Sequence, residues 1–148
     1  MQIDQWNFPD ELYYDENHLW ARADGDSVTM GVNEFLLFLT GEITFITLPK
    51  AGEKFEFGER IGTIEAGVGC CGGGGGWLGS YFAPVSGEIV EVNDELENDP
   101  ALVNKSPYDR GWILKMKMSD TGELDRLMKA PGDIREFIYS EIERATNK

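Results

Sequence analysis

The sequence predicts a mostly β sandwich of short strands with a C-terminal helical appendage. Residues 18–31 indicate a hairpin, because two strand-forming segments flank an Asp24-Gly25 turn. Further strand segments are predicted at 42–48, where Ile43 and Phe45 alternate with polar residues, and at 61–65, 87–93 and 112–118. A weak internal repeat suggests two similar halves, since Gly41-Glu42-Ile43 and Gly87-Glu88-Ile89 each open one such segment.

Helices are predicted on both sides of these strands. Asn33 is a plausible N-cap for a helix over residues 34–39 that ends at Gly41. Asp120 and Glu123 resemble a capping box for a short helix that reaches Met128.

A last helix is predicted after Pro131-Gly132, because apolar residues recur at helical spacing from Ile134 to Ile142. A chain of 148 residues is expected to form a single domain with a real core. We expect that core at about 13–118 and the C-terminal helices at about 120–146.

The charge balance excludes some partners. Against 27 acidic residues the chain has 13 basic ones, for a net charge of −14, which argues against binding nucleic-acid phosphates. The acidic surface serves solubility or electrostatic docking onto basic partner proteins. No apolar run approaches the ~18 residues of a membrane span, and residues 1–14 lack a signal peptide's basic region, so we expect a cytoplasmic protein without a membrane contact.

One segment interrupts this strand-rich pattern. Residues 67–79 include both cysteines of the chain, Cys70 and Cys71, side by side. Glycines make up most of the rest: Gly67, Gly69, Gly72, Gly73, Gly74, Gly75, Gly76 and Gly79. Such a run neither nucleates a helix nor fills a core, because each glycine loses much backbone entropy on folding. Because residues 67–79 lie between two strand segments without contributing to the core, we expect the two thiols to have a functional role.

A series of motifs runs along the chain in a recognisable order. In sequence they are His18-Leu19-Trp20, Gly31-Val32, Gly41-Glu42 through Phe45 to Leu48-Pro49, Gly52, Ile64-Glu65, Pro84 to Asn93, Pro100 to Asn104, Ser106-Pro107-Tyr108 and Gly111-Trp112. This series closely resembles the H-protein family of the glycine cleavage system, from about Tyr13 to the last helix. The stretch from Pro84 to Asn104 is the most specific part.

The resemblance implies a barrel-sandwich hybrid fold of the lipoyl/biotinyl type and a carrier that is not itself an enzyme. In the family, lipoate on one lysine at a hairpin tip shuttles an aminomethyl group from the glycine decarboxylase to the aminomethyltransferase. Dihydrolipoyl dehydrogenase then reoxidises the arm. The implied partners are therefore enzymes that load and unload a mobile group.

The chain departs from the family at that hairpin. The family motif runs Glu-Ser-Val-Lys-Ala, whereas this chain has Glu65-Ala66-Gly67-Val68-Gly69 and no lysine between Glu65 and Pro84. The interval from Glu65 to Pro84 is also longer than the family pattern by about eight residues. Because lipoylation requires a lysine amine, no covalent cofactor is expected at the usual place.

The two cysteines at this place suggest the hypothesis that they take over the role of lipoate. Lipoate acts as a dithiol on a mobile arm, and Cys70 and Cys71 are a dithiol followed by five glycines, whose free root-mean-square span is roughly 12 Å. A bond between them would be strained, since neighbouring Cα atoms lie about 3.8 Å apart and disulfides usually span about 4.4–6.8 Å. Such a bond is comparatively oxidising and easily reduced, which suits a redox, acyl or sulfur carrier.

Residues flanking the cysteines are expected to contribute. The candidates to anchor the segment or to contact a partner are Trp77, Leu78, Tyr81 and Phe82. No basic residue in the segment lowers a thiol pKa, and Glu65 would raise one. Activation would come from a partner or from folded neighbours such as His18, the sole histidine, for which the resemblance implies a structural role near the arm.

Other interpretations stay open. A GxGxxG pattern at Gly67, Gly69 and Gly72 is a weak match to a dinucleotide site, because more glycines follow instead of a helix. One histidine and two neighbouring cysteines are too few ligands for zinc, and an iron–sulfur cluster would need a second chain or a partner.

Three further alternatives concern modification and binding. A modifying enzyme would act on Cys70 or Cys71, or the segment would be inert in a binding or regulatory module that has lost carrier chemistry. The apolar run at residues 35–39, which departs from the family, is expected to pack in the core or to form an altered docking surface.

Overall fold

The computed structural model describes residues 2–3, 6–67, 77–129 and 132–146. The predictions for Cys70 and Cys71, and for the glycines at positions 69 and 72–76, fall outside the described residues. For Trp77 the backbone is described and the side chain is not.

The described part of the chain is mostly β. In chain order the strands are β1 Gln2–Ile3, β2 Trp6–Asn7, β3 Tyr13–Tyr14, β4 Leu19–Asp24, β5 Ser27–Val32, β6 Ile43–Ile46, β7 Lys54–Phe55, β8 Arg60–Ala66, β9 Trp77–Phe82, β10 Gly87–Val92, β11 Leu114–Met118 and β12 Met128–Lys129. The helices are α1 Glu34–Thr40, α2 Glu95–Asn98, α3 Ala101–Lys105, a 3₁₀ helix Thr121–Arg126 and α4 Gly132–Thr146.

The strands form three antiparallel sheets. Seven strands pair in the order β12-β3-β4-β5-β11-β10-β7, three pair in the order β6-β8-β9, and β1 pairs with β2. The two copies of the weak internal repeat pair in the same way. The strand that follows Gly41-Glu42, β6, pairs with β8 in one sheet, and the strand that begins at Gly87, β10, pairs with β11 in the other. The predicted mostly β sandwich is thus confirmed, including the β4–β5 hairpin, where Gly25 has φ +63°.

The larger core lies between the two main sheets. Side chains such as Met30 and Ile89 from the seven-stranded sheet and Ile64 and Tyr81 from the three-stranded sheet are fully buried there. Burial of such apolar area, at about 25 cal/mol per Å², supplies the main stabilisation of a sandwich. This core fixes the position of the β8–β9 pair.

A second core joins the two ends of the chain. Trp6 from β2 and Ile134 and Ile138 from α4 are buried together with Trp20 and Phe35. The predicted C-terminal helix is therefore confirmed, and it packs against the rest of the chain through its apolar face.

Two local predictions are wrong. Asp120 caps the 3₁₀ helix by accepting from the Gly122 N–H at 2.9 Å, but Glu123 does not complete a capping box. The Glu123 carboxylate instead accepts from the Ser86 N–H at 2.7 Å and from the Ser86 hydroxyl at 2.9 Å, because these donors are buried. The helix accordingly ends at Arg126.

The second wrong prediction concerns Phe45. A register shift between Ile43 and Phe45 interrupts the simple alternation, so that Ile43 and Ile46 are buried and Phe45 is exposed. A bulge of this kind re-aims side chains within a strand, which alternation in the sequence does not reveal.

Gly87→Ala is expected to destabilise the fold by about 3 kcal/mol. A Cβ at Gly87 would lie 2.1 Å from the Lys117 carbonyl oxygen, so strands β10 and β11 would have to separate. Gly132→Ala is the control, since a Cβ there meets nothing within 4 Å. Equal unfolding midpoints in denaturant for Gly87→Ala and the wild type would contradict this account.

Candidate functional site

The candidate site is the hairpin formed by β8 and β9. Its strands pair from Arg60 opposite Phe82 to Ala66 opposite Trp77, with one register shift between Arg60 and Gly62. Residues 67–76 join the paired strands at the Ala66 end, so both cysteines belong to this connection. Gly79 lies within β9 opposite Ile64 and is a strand residue, not part of the connection.

The start of the connection is tied to the neighbouring strand. The Gly67 N–H donates to the Glu42 carbonyl oxygen at 2.8 Å. Next to Glu42, Ile43 exchanges two hydrogen bonds with the Asn104 side-chain amide, at 2.8 and 2.9 Å. Asn104 thereby satisfies the edge of β6 that no strand covers, and it joins α3 to the base of the hairpin.

Tyr81 anchors the hairpin on the core side of the small sheet. Its ring is fully buried, and its hydroxyl donates to the Thr47 carbonyl oxygen at 2.5 Å. Burial raises the pKa of Tyr81 above its usual range, so the phenol stays protonated. Of the two predicted roles, the structure places Tyr81 in an anchoring position, where a partner does not reach it.

His18 occupies a strained turn at the edge of the second core. Its φ is +65°, and Asp15 stabilises the turn by accepting from the N–H groups of Asn17 and Leu19, both at 2.9 Å. The His18 ring packs against Phe35, with ring centroids 5.0 Å apart.

A single polar contact joins His18 to the last helix. His18 Nε2 lies 2.9 Å from Glu141 Oε1, whereas Nδ1 is buried without a hydrogen-bond partner among the described residues. Burial lowers the pKa of His18, although the Glu141 carboxylate opposes that change. We infer a neutral ring that donates from Nε2, because a proton on Nδ1 would have no acceptor.

Two cavities flank β9. One, of about 260 Å³, is lined by His18 and Glu141 together with Ser80 and Ile64. His18 thus lies beside the middle of β9. The other, of about 540 Å³, is lined by Asp15, Arg126 and Phe82, toward the far end of β9. Burial raises the pKa of Asp15 to about 7.

The apolar run in α1 is a packing surface. Trp6 of the N-terminal hairpin contacts Phe35 and Phe38, with ring centroids 4.9 and 4.8 Å apart. Leu36 is buried in the larger core. Phe35 and Leu36 are thus core residues, whereas Leu37, Phe38 and Leu39 are half-buried, so the alternative of an altered docking surface stays a prediction for these three positions.

Glu65 and Leu78 are exposed beside the connection, and they face each other across β8 and β9. Sequence reasoning placed Glu65 near the thiols and Leu78 among the residues that would anchor the segment or contact a partner, but it did not predict that Phe45 is exposed. It also missed Glu141, which is 123 positions away from His18, because no local pattern links the two residues.

These features define the class of protein: a small barrel-sandwich domain with a long β8–β9 hairpin. The chain belongs to the glycine cleavage H-protein family, which matches residues 12–141. It is 36% identical over 135 residues to the glycine cleavage system H protein of Halalkalibacterium halodurans, covering 91% of this chain and 98% of that protein.

Further relatives agree with this assignment. The H protein of Bacteroides fragilis is 40% identical over 126 residues, covering 85% of this chain and 94% of its own. A crystal structure of an H protein from Mycobacterium marinum superposes with a TM-score of 0.71 at 28% identity, covering 90% and 98% of the two chains. Family members are non-catalytic carrier proteins.

The residues of this hairpin do not fit a lipoyl group. Attachment requires a primary amine, and neither the connection 67–76 nor strands β6, β8 and β9 contain a lysine. Within the described ranges, no group of three or more His, Cys, Asp and Glu side chains has a metal-binding arrangement. A search of the same residues for a helix long and apolar enough to cross a membrane finds none.

The buried neutral His18 predicts a loss of stability in acid. Its pKa is lower folded than unfolded, so the unfolded chain takes up the proton first as the pH falls through about 6.5. The free energy of unfolding should therefore fall below that pH, by at most about 1.4 kcal/mol per pH unit. His18→Gln, which retains a donor for Glu141, should show a shallower slope in urea titrations between pH 7 and 5. If the free energy of unfolding fell equally steeply with pH in His18→Gln and in the wild type, that result would contradict a neutral His18.

The raised pKa of Asp15 predicts a loss of stability as the pH rises, which is opposite to the effect of His18. The folded pKa of Asp15, about 7, lies above the unfolded value of about 3.9, so the folded state holds the extra proton and loses stability as pH rises between these values. Asp15→Asn keeps the acceptor oxygen and should be more stable than wild type at pH 8 but not at pH 4. Asp125→Asn, at an exposed position, controls for net charge and should show no such difference.

Proposed function

We propose that this chain is a non-enzymatic carrier of the glycine cleavage H-protein family in which Cys70 and Cys71 replace the lipoyl-lysine. One observation supports the proposal above all. The β8–β9 hairpin retains an ordered, anchored base up to Ala66 and Trp77, and its connection contains two cysteines and no lysine.

The chemistry of the replacement is thiol–disulfide exchange. Lipoate works as a dithiol that cycles with a disulfide, and two neighbouring cysteines supply the same pair of functional groups. In the oxidised state a thiolate of the partner attacks one sulfur, and a mixed disulfide forms. The partner's second thiol then releases the reduced carrier, so that two electrons and two protons move from the partner's dithiol to Cys70 and Cys71.

The direction of exchange follows from the adjacency of the cysteines. A disulfide between sequence neighbours is strained, and strain makes a disulfide a better oxidant. The carrier is therefore expected to accept electrons from a partner dithiol. A dithiol enzyme fits this role. The dihydrolipoyl dehydrogenase implied by the family resemblance oxidises the family's arm, and in the reverse direction its dithiol, reduced by NADH, would donate electrons to this carrier.

The scaffold supports such a carrier in two ways. Tyr81 and the Gly67–Glu42 hydrogen bond fix the base of the hairpin, so that a partner meets the connection at a defined place. The net charge of −14 favours encounter with basic partner surfaces and speeds association at low ionic strength.

Intact-mass spectrometry of the protein from its native host, with alkylation before and after reduction, tests the proposal. We expect a deficit of about two daltons that a reductant restores. The variant with Cys70→Ser and Cys71→Ser should lack the deficit. Free thiols without added mass would instead favour a binding module, a stable adduct on either cysteine would favour a modifying enzyme, and a lipoyl mass on any lysine would overturn the proposal.

Electron transfer gives a second measurement of the same prediction. With NADH and dihydrolipoyl dehydrogenase, the oxidised carrier should consume one NADH per chain: disulfide, NADH and a proton yield two thiols and NAD⁺. Ser80→Ala is the matched control, since it changes β9 but retains both thiols. NADH consumption by the Cys70→Ser, Cys71→Ser variant at the wild-type rate would contradict carriage by these sulfurs.

A further inference from the structure

Three side chains form a row across the small sheet beside the candidate site. Phe45 of β6 lies opposite Glu65 of β8, and Glu65 lies opposite Leu78 of β9. Directly paired residues of antiparallel strands share one face, and two strand spacings separate the outer members by about 10 Å. We call Phe45, Glu65 and Leu78 the tip row.

The tip row points away from the core. The rows on either side of it are buried, with Ile46 and Ile64 on one side and Ala66 on the other. Successive residues of a strand alternate between faces, so the tip row faces outward. Phe45 is 48% exposed and Leu78 is 70% exposed.

The apolar part of this face is confined to the end that bears the connection. The row beyond Ile64 carries the short polar side chains of Thr63 and Ser80. Ala66 and Trp77, where strand pairing ends, are the immediate neighbours of the tip row, so the two exposed apolar side chains lie next to the start and the end of residues 67–76. Other large exposed apolar side chains, Val90 and Tyr139, lie on β10 and α4.

The centre of the row is an unpaired negative charge. The Glu65 side chain is exposed, and no described lysine or arginine lies within ion-pair distance of it. Glu42, which is also exposed, lies close by, because its carbonyl accepts from Gly67. The row therefore combines two apolar contacts with a negative charge that the described chain does not neutralise.

We propose that the tip row is the docking site for a partner protein that presents an apolar surface and a lysine or arginine to match Glu65. Burial of Phe45 and Leu78 supplies affinity, and the central ion pair supplies orientation. The inference rests on the proposed function in one respect, since the docked partner is the enzyme that exchanges electrons with Cys70 and Cys71.

The charge pattern argues against a second copy of this chain as the occupant. Two copies that meet through the tip row would bring together Glu65 and Glu42 of both, on molecules with a net charge of −14 each. Like charges placed opposite each other are destabilising, whereas a basic partner gains from the same field.

Site-specific photocrosslinking in the native host tests the proposal. A benzoylphenylalanine replaces Phe45 or Leu78 in the full chain, and it replaces Val90 or Tyr139 in the matched controls, which have similar exposure. We expect one protein to be crosslinked from both tip-row positions at least tenfold more than from either control. The crosslinked peptides should place a lysine or arginine beside apolar residues.

Reversal of the charge at Glu65 provides a second test of the docking site. With the crosslinker at Leu78, Glu65→Lys should lower the yield at least tenfold, whereas Glu97→Lys, at an exposed site of α2, should leave it within twofold. An unchanged unfolding midpoint shows that the variants remain folded. Equal yields from all four crosslinker positions, different proteins from Phe45 and Leu78, no crosslinked protein, or a second copy of this chain would each overturn the proposal.

The thiol variant separates this inference from the proposed function. If docking occurs through the tip row, the Cys70→Ser, Cys71→Ser chain crosslinks as well as the wild type, although it consumes no NADH. Loss of crosslinking in that variant would show that the thiols, and not the tip row, hold the partner. Retained crosslinking together with an absence of exchange in the wild type would leave docking in place and refute the carrier chemistry.

Discussion

The hairpin's position depends on one close contact beneath it, where Tyr81 crosses Gly62 to reach Thr47. A Cβ at Gly62 would lie 2.5 Å from Thr47 Oγ1 and 2.9 Å from the Tyr81 ring, so glycine is required for the phenol to pass. Because Tyr81 is buried, its hydroxyl needs an acceptor, and the Thr47 carbonyl provides it. This contact ties β9 to the residue that follows β6 and supports the paired part of the β8–β9 hairpin.

The second core makes one domain of the two ends of the chain. Trp6 from the N-terminal hairpin and Ile138 from α4 are buried in the same cluster as Phe35 of α1, while His18 joins α4 through Glu141. The family match begins at residue 12, so the hairpin β1–β2 lies before the family's part of the sequence. Its tryptophan covers the apolar residues of α1 that would otherwise be exposed.

The surface around the connection combines features that suit transfer between proteins. The base is hydrogen-bonded, the tip row offers exposed Phe45 and Leu78 around Glu65, which forms no ion pair with the described residues, and the chain has a net charge of −14. In the proposed mechanism, affinity and chemistry would reside in different residues: the sheet face would hold a partner while Cys70 and Cys71 react. Weak, oriented docking of this kind allows one carrier to serve more than one enzyme in turn.

By itself, the sequence determined the sandwich, the β4–β5 hairpin and the family, because these depend on local alternation, turn residues and ordered motifs. It also located the two cysteines and the missing lysine, which are facts of composition. Only the tertiary structure decided that Phe45 is exposed, since a bulge shifts the register of β6. It likewise brought Glu123 to Ser86 and Glu141 to His18, because a buried donor takes whichever acceptor the fold brings within reach, and that distance is not encoded in any local pattern.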